Sequence, residues 1–296
     1  MTGWTGVEGK RVVITGATSG IGLAAVEELA ARGARLTLVA RSEPKANALA
    51  ERIEGAGGKD VDVVIADFSS QADVRRAAAE ILARRSTLDA LVNNAGVYLT
   101  TRQVTTDGIE MTWAVNHLAP FLLTNLLLER LKESAHARVV TTASDAHVGA
   151  NMPFDDMDGT AAYAKRSMAG PGFIRYGQTK LANVLFTAEL ARRLEGTGVT
   201  ANCFHPGLVA TGITRELGGM ARITMRVADA FSRRPQKGAE TLVWLVDSPE
   251  VADISGGYFV DKRRAVPAPL AQDVEVARRL WEVSEAQTRV SAELGR

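Results

Sequence analysis

The sequence is poor in the features that would place a protein outside the cell or in a membrane. It contains a single cysteine, Cys203, so no internal disulfide can form and nothing demands an oxidising compartment. The most apolar stretch, 122–131, is interrupted by polar and charged side chains and is too short to span a bilayer. We expect neither a signal peptide nor a membrane anchor ahead of the first predicted strand, and therefore a cytoplasmic protein without a membrane partner.

An excess of charge is also missing. Lysine and arginine total 35 against 34 acidic residues, and the net charge of +1 gives no reason to expect nucleic acid as a partner. The four histidines lack metal-ligand spacing. The aspartates of the stretch 155–158 lack the glycine and terminal glutamate of a calcium loop. We therefore expect no metal site.

What the chain does contain is apolar residues, 46% of the total, in a regular alternation of short β-branched runs and helical patterns. This alternation predicts an α/β fold, a doubly wound parallel sheet with helices on both faces, in a single domain spanning 1–296. Ligands of such folds lie at the carboxyl ends of the strands. The predicted strands are 11–15, 35–40, 61–66, 88–93, 137–143, 199–204 and 257–260, and the predicted helices are 21–32, 43–55, 71–84, 108–132, 176–195, 237–247 and 273–286.

Three segments interrupt the alternation, and long loops in a compact domain are usually functional. We expect the insert 145–175, the loop 212–236 and the C-terminal extension 262–296 to wall a substrate pocket. Their apolar side chains favour a hydrophobic or ring-bearing substrate, with the core as the alternative place for the same residues: Phe154, Phe173, Ile213, Leu217, Met220 and Phe231.

A glycine-rich turn at 16–22 lies between a predicted strand and a predicted helix. Its spacing is Gly-x-x-x-Gly-x-Gly, which differs from the Gly-x-Gly-x-x-Gly of the commonest dinucleotide fingerprint. Glycines let the backbone approach a pyrophosphate, and the helix N-terminus supplies unpaired N–H groups and a partial positive charge. The context favours a phosphate site over a turn without a ligand, formed by Gly16, Thr18, Ser19, Gly20, Ile21 and Gly22.

The end of the second strand bears on the choice of nucleotide. An NAD-selective site usually places an acidic residue about 20 positions beyond the glycines, to bind the ribose 2′-hydroxyl. Here the corresponding positions hold Ala40 and Arg41. A guanidinium binds phosphate through two parallel hydrogen bonds. This predicts NADP(H) over NAD(H), with Ser42 as a further phosphate contact and a solvated Arg41 as the alternative.

Tyr176 and Lys180 are four residues apart and face the same side of a predicted helix. A phenol has a pKa near 10, and an adjacent ammonium favours the phenolate and lowers that pKa. The pair is a candidate acid/base group for interconverting a carbonyl and an alcohol. A second copy, Tyr258 with Lys262, falls at a strand end, where alternation separates the side chains. We interpret Tyr258 as a core or rim residue.

Together these residues resemble the short-chain dehydrogenase/reductase family over about residues 8–261. The stretch from Tyr176 to Gly207 is similar to the retinol dehydrogenase-like branch of that family. The resemblance implies a Rossmann fold, a nicotinamide cofactor and activity on a CH–OH group. The motifs that carry it occur in the family's order: Thr15-Gly16-x-x-x-Gly20-x-Gly22, Asn93-Asn94-Ala95-Gly96, Asn116, Ser144, Tyr176-x-x-x-Lys180 and Pro206-Gly207.

The resemblance further implies a catalytic tetrad. Asn116 would hold a water in a proton relay, and Ser144 would donate a hydrogen bond to the substrate oxygen. Tyr176 would give or take the proton. Lys180 would hold the ribose hydroxyls and lower the pKa of Tyr176. The other implied cofactor contacts are Asp67 and Phe68 at the adenine, Asn93, Ala95 and Gly96 after the fourth strand, and Pro206, Gly207, Val209 and Thr211 at the nicotinamide carboxamide.

We therefore expect an NADP(H)-dependent oxidoreductase acting on a small-molecule carbonyl or alcohol. Two departures from the family pattern stand out. Ala143 precedes Ser144 where a second serine is usual, and the insert before Tyr176 is long. Since such an insert can block the usual helix-to-helix subunit contact, the oligomeric state stays open between monomer and homodimer. A non-catalytic NADP(H)-binding regulator on the same fold is the alternative function.

Overall fold

The computed structural model of the chain describes residues 4–134, 136–207 and 234–290. In these residues eight strands form one sheet, in the order β3-β2-β1-β4-β5-β6-β7-β8. Strands β1 to β7 are parallel, and β8 runs antiparallel to β7. The strands are β1 Arg11–Thr15, β2 Arg35–Ala40, β3 Val61–Ile65, β4 Ala90–Asn93, β5 Arg138–Thr142, β6 Thr200–His205, β7 Tyr258–Val260 and β8 Arg263–Ala265.

Helices connect the strands and cover both faces of the sheet. A short π-helical turn, Ala114–Leu118, joins the fourth and fifth of them. The α-helices are α1 Gly20–Ala31, α2 Glu43–Gly55, α3 Gln71–Arg84, α4 Met111–Trp113, α5 Ala119–Lys132, α6 Thr160–Ala164, α7 Phe173–Arg193, α8 Pro235–Asp247 and α9 Val274–Thr288.

Alternate side chains of the central strands enter separate apolar cores on the two faces of the sheet. Val12 and Ile14 of β1 belong to the core under α1, α2 and α8, whereas Val13 belongs to the core under α3, α5 and α7. This explains why the strands are near-continuous apolar runs, since a parallel sheet is buried on both faces. The C-terminal helix α9 adds Trp281 to the second core, with its ring 4.9 Å from that of Phe121.

The predicted fold class is confirmed, because the sheet is doubly wound and forms one domain. Three local predictions are wrong. The predicted helix 108–132 begins at Met111 and is interrupted by the π-helical turn. The insert 145–175 is not all irregular, since it contains α6 and the start of α7. β8 was not expected in the C-terminal extension. It is an edge strand with charged, exposed side chains, so its sequence lacks the apolar pattern that predicts a strand.

Candidate active site

The glycine loop folds back tightly between β1 and α1. Gly16 has a φ of 68° and Gly20 a φ of 55°, left-handed values that favour glycine. A Cβ on Gly22 would lie 2.2 Å from the carbonyl oxygen of Gly16. A Cβ on Gly16 would lie 2.9 Å from the Cα of Ala95. The glycines thus bring the N-terminus of α1 to the carboxyl end of the sheet, while Thr18 is half-buried, Ser19 is exposed and Ile21 is buried.

Asn94 holds this loop, a role that the sequence analysis missed. Its Nδ2 donates to the carbonyl oxygen of Thr15 at 3.0 Å. The hydroxyl of Thr15 in turn accepts the backbone N–H groups of Asn94 and Ala95, both at 3.0 Å. The loop after β4 is therefore fastened to the end of β1. The only sequence signal was the position of Asn94 inside the Asn-Asn-Ala-Gly motif.

The residues predicted near the adenosine end follow β2 and β3, at the same edge of the sheet. Arg41 is exposed immediately after β2, and Ser42 is the N-cap residue of α2. Asp67 lies in a turn after β3 that is held by hydrogen bonds: its Oδ1 accepts the N–H of Ser69 at 2.9 Å. Phe68 packs partly against the second core.

The residues predicted along the rest of the cofactor follow β4 and β6. Ala95 and Gly96 are half-buried after β4. Asn93 is different, because its side chain is buried and its Nδ2 donates to Thr124 of α5 at 2.9 Å, so it serves the packing of α5. Pro206 and Gly207 are half-buried after β6. Val209, Thr211 and the four loop residues Ile213, Leu217, Met220 and Phe231 lie outside the described residues.

Ser144, Tyr176 and Lys180 come together at the carboxyl end of β5. The side chain of Ser144 lies close enough to the Tyr176 hydroxyl to favour the phenolate form of that group. The Nζ of Lys180 lies 5.5 Å from the centre of the Tyr176 ring. It also donates at 3.0 Å to the carbonyl oxygen of Thr142, the last residue of β5. The helix α7 therefore presents the tyrosine and the lysine together to the residue that follows the strand.

Burial dominates the pKa values of this group. It raises the pKa of Tyr176 to about 12, although the side chain of Ser144 acts in the opposite direction. It lowers the pKa of Lys180 to about 8. The expectation that the ammonium brings the pKa of Tyr176 below its ordinary value is therefore wrong in this structure. A raised pKa favours the protonated form of Tyr176.

Asn116 lies in the π-helical turn and reaches toward α7. Its Oδ1 accepts the N–H of Val97 at 2.7 Å, and its Nδ2 donates to the Val97 carbonyl oxygen at 2.9 Å and to the Thr179 hydroxyl at 3.1 Å. A Cβ on Gly96 would lie 3.3 Å from Asn116 Oδ1 and 3.9 Å from Lys180 Nζ. The two side chains thus flank Gly96, and π-helical turns are frequent at functional sites.

A polar cluster lies behind Ser144. The carboxylate of Asp145 accepts a hydrogen bond from the Tyr258 hydroxyl at 3.0 Å. It also lies 3.0 Å from Nε2 of His205. Burial and this carboxylate raise the pKa of Tyr258 far above its ordinary value. Lys262 instead pairs with Glu240 at 3.5 Å. In the second Tyr-x-x-x-Lys copy, Tyr258 is therefore a structural residue and Lys262 belongs to a surface ion pair.

The insert lies against one side of the site through Tyr98, another residue that the sequence analysis missed. The ring of Tyr98 stands edge-on to that of Tyr176, with centroids 5.5 Å apart. Its hydroxyl donates to the carbonyl oxygen of Pro171 at 2.7 Å. A Cβ on Gly172 would lie only 1.9 Å from the carbonyl oxygen of Leu99. The end of the insert is thus fixed close to Tyr176.

The chain is similar to proteins of a known family. The family model of the short chain dehydrogenase matches residues 10–157 and 160–221. The chain belongs to the short-chain dehydrogenase family. Mouse retinol dehydrogenase 14 is 40% identical over 96% of this chain and 87% of its own length, and human retinol dehydrogenase 13 is 41% identical over 93% and 83%. Membership of this branch supports an oxidoreductase activity on alcohols or carbonyls.

Solved structures agree with the fold of this short-chain dehydrogenase. An uncharacterised protein from Mycobacterium paratuberculosis superposes with a TM-score of 0.77 at 31% identity. The match covers 99% of this chain and 100% of that protein's chain. A short chain dehydrogenase from Burkholderia cenocepacia J2315, solved in complex with NADP, gives a TM-score of 0.68 at 28% identity, covering 86% and 96%.

Among the helices of residues 4–134, 136–207 and 234–290, none is both long and apolar enough to cross a membrane. No three His, Cys, Asp or Glu side chains in the same residues are grouped as a metal ion would require.

Proposed function

We propose that the protein is an NADP(H)-dependent oxidoreductase that interconverts a carbonyl and an alcohol of a hydrophobic small molecule, with Tyr176 as the acid/base group. The observation that supports this most directly is the grouping of Ser144, Tyr176 and Lys180 at the carboxyl end of β5. Ligands of doubly wound sheets bind at this edge. The glycine loop lies at the same edge, at the end of β1.

The residues present fit a dinucleotide. The backbone of Gly16 and Gly22 is packed so closely that added Cβ atoms would collide with it, which leaves the N-terminus of α1 open to a pyrophosphate. Arg41 is exposed directly after β2, and we propose that its guanidinium binds the 2′-phosphate of NADP(H). The relative solved with NADP supports the choice of NADP(H) over NAD(H).

The pKa of Tyr176 supports carbonyl reduction as the direction of the reaction, because reduction needs a protonated acid. A nicotinamide, when bound, supplies the hydride to the carbonyl carbon. Tyr176, with a pKa of about 12, holds its proton at neutral pH and donates it to the carbonyl oxygen. The phenolate that results is stabilised by the Ser144 hydroxyl and by the ammonium of Lys180. Lys180, with a pKa of about 8, is suited to exchange protons with solvent near neutral pH.

The names of the relatives suggest a substrate class. Several of them are retinol dehydrogenases at about 40% identity. We propose that the substrate carries its carbonyl at the end of an apolar chain or ring system. Half-buried Tyr98, edge-on to Tyr176, offers an aromatic surface for such a chain.

The test is NADPH oxidation by the purified protein with a panel of aldehydes, ketones and steroids that includes retinal. We expect the wild-type protein to turn over at least one apolar carbonyl. Tyr176→Phe should abolish turnover and leave the NADPH dissociation constant within about twofold, because only the proton donor is removed. An active Tyr176→Phe variant would exclude Tyr176 as the acid. NADPH binding without any turnover by the wild-type protein would favour the regulator instead.

A further inference from the structure

The orientation of the Ser144 hydroxyl depends on a short turn and not on a long helix or a strand. Ser144 is the N-cap residue of the 3-10 turn Asp145–His147, and its Oγ accepts the N–H of Ala146 at 3.2 Å. The same side chain lies next to the Tyr176 hydroxyl and favours its phenolate form. The orientation of the Ser144–Asp145 peptide therefore decides whether the hydroxyl faces Tyr176.

A buried imidazole helps to hold that peptide, together with the backbone N–H of His147, which donates to the Ser144 carbonyl oxygen at 3.1 Å. Nδ1 of His147 lies 2.7 Å from the carbonyl oxygen of Ser144. Its Nε2 accepts the backbone N–H of Ala268 at 3.1 Å. Since an imidazole nitrogen that accepts from an N–H carries no proton, the proton lies on Nδ1, which donates to Ser144. The contacts on both sides of the ring thus fix its tautomer.

The surroundings leave the ring little freedom. His147 is 1% exposed, and its ring centroid lies 5.0 Å from that of Tyr258. The hydroxyl of Tyr258 is bonded to the Asp145 side chain, so Tyr258 and His147 support the two ends of the same turn. Ala268 is 121 residues away in the sequence, in the C-terminal extension.

We infer that His147 is a positioning residue for Ser144, and that through it the C-terminal extension near Ala268 helps to hold the active site. The inference rests on the proposed function, because it assigns a partner to the serine of that site. The described hydrogen bonds of the His147 side chain go to Ser144 and Ala268, and to neither Tyr176 nor Lys180. Its effect on catalysis therefore passes through the Ser144 peptide.

Two substitutions separate the two hydrogen bonds of the ring. The amide of His147→Asn lies where Nδ1 lies and can still donate to Ser144. The amide of His147→Gln lies where Nε2 lies and can accept from Ala268 but cannot donate to Ser144. We expect His147→Asn to keep kcat within about threefold of wild type. His147→Gln should lower kcat by roughly 10- to 100-fold, the cost of a catalytic group displaced by about 1 Å.

The controls separate positioning from general damage. Half-buried His136 lies before β5 at the opposite end of that strand, and His136→Asn and His136→Gln should leave kcat unchanged. NADPH affinity should stay within about twofold in both His147 variants, because the glycine loop is untouched. In a Ser144→Ala background, His147→Gln should cost nothing further, since the group that it positions is gone.

The outcomes are distinct. Equal kcat values for His147→Asn and His147→Gln would overturn the inference. Turnover by the wild-type protein would still support the proposed function in that case. A full additional loss in the Ser144→Ala background would also overturn the inference, as would a loss of NADPH affinity in both variants, which would mark a general structural role. Absence of turnover in the wild-type protein would overturn the proposed function and the inference with it.

Discussion

The ammonium of Lys180 lies 5.5 Å from the ring centre of Tyr176 and donates to the carbonyl oxygen of Thr142 at 3.0 Å. The lysine is 4% exposed, and burial lowers its pKa from 10.5 to about 8. Its charge therefore costs stability in the folded state, on the order of 1–3 kcal/mol at neutral pH. A residue that destabilises the fold in this way is typical of a functional site.

Removal of this charge should stabilise the protein and stop the reaction. Between pH 8 and 10.5 the unfolded chain binds more protons at Lys180 than the folded chain does. The free energy of unfolding of the wild type thus gains from this group as the pH rises through that window. We expect Lys180→Met to be more stable than wild type at pH 7 and to lose that advantage by about pH 10.5, in urea unfolding at both pH values. A variant less stable at pH 7 would contradict this.

Arg41→Ala should discriminate between the two nicotinamide cofactors. If Arg41 binds the 2′-phosphate, its loss should weaken NADPH binding by about 1–3 kcal/mol and leave NADH binding unchanged. The matched control is Arg52→Ala on α2, the helix that follows Arg41, since Arg52 pairs with Glu27 at 2.7 Å. Fluorescence titration with each cofactor measures the effect. Equal losses for NADPH and NADH would exclude Arg41 from the phosphate site.

Gly22→Ala tests the packing of the glycine loop. The added Cβ would lie 2.2 Å from the Gly16 carbonyl oxygen, so the loop must open and its grip on a pyrophosphate must weaken. We expect a loss of NADPH affinity together with a destabilisation of about 1–3 kcal/mol, the usual cost of overpacking. Gly55→Ala is the control, because its Cβ would meet nothing within 4 Å at the end of α2. An unchanged NADPH affinity in Gly22→Ala would argue against the loop as the phosphate site.

Local patterns predicted most of the fold. The β-branched run at β1, the glycines after it and the helical spacing of α1 are signals carried by neighbouring residues, and the sheet edge that holds the site followed from the alternation of elements. The pair Tyr176 and Lys180 was also a local signal. Of the eight strands in the residues that the structure describes, seven were predicted within a few residues of their ends and β8 was missed.

The missing parts depend on contacts between distant residues. His147 meets Ala268 across 121 residues, and Glu110 meets Arg175 across 65. Neither pair has a spacing that a sequence reveals. The pKa of Tyr176 was mispredicted for the same reason, since desolvation depends on everything packed around the ring. Chain neighbours identify which groups form the site, and tertiary packing determines their chemistry.

An ion pair buried next to the site joins its two halves. Arg175 Nε lies 2.8 Å from Glu110 Oε2, and both side chains are fully buried. Glu110 also accepts the N–H groups of Thr112 and Trp113, so it starts the helix that leads to Asn116. Arg175 directly precedes Tyr176 on α7. The pair thus fixes the Asn116 turn relative to Tyr176.

Breaking this pair should cost far more than removing it whole. Arg175→Met leaves the carboxylate of Glu110 buried without its partner, and we expect a destabilisation of about 3–5 kcal/mol. The double variant Arg175→Met with Glu110→Gln removes both charges and keeps one amide oxygen, which can accept one of the two helix N–H groups, so it should recover part of that loss. Urea unfolding of the wild type, both single variants and the double variant gives the coupling energy. Strictly additive losses would show that the two charges stabilise the fold independently, whereas partial recovery of both stability and turnover would confirm that the pair acts as one unit behind Tyr176.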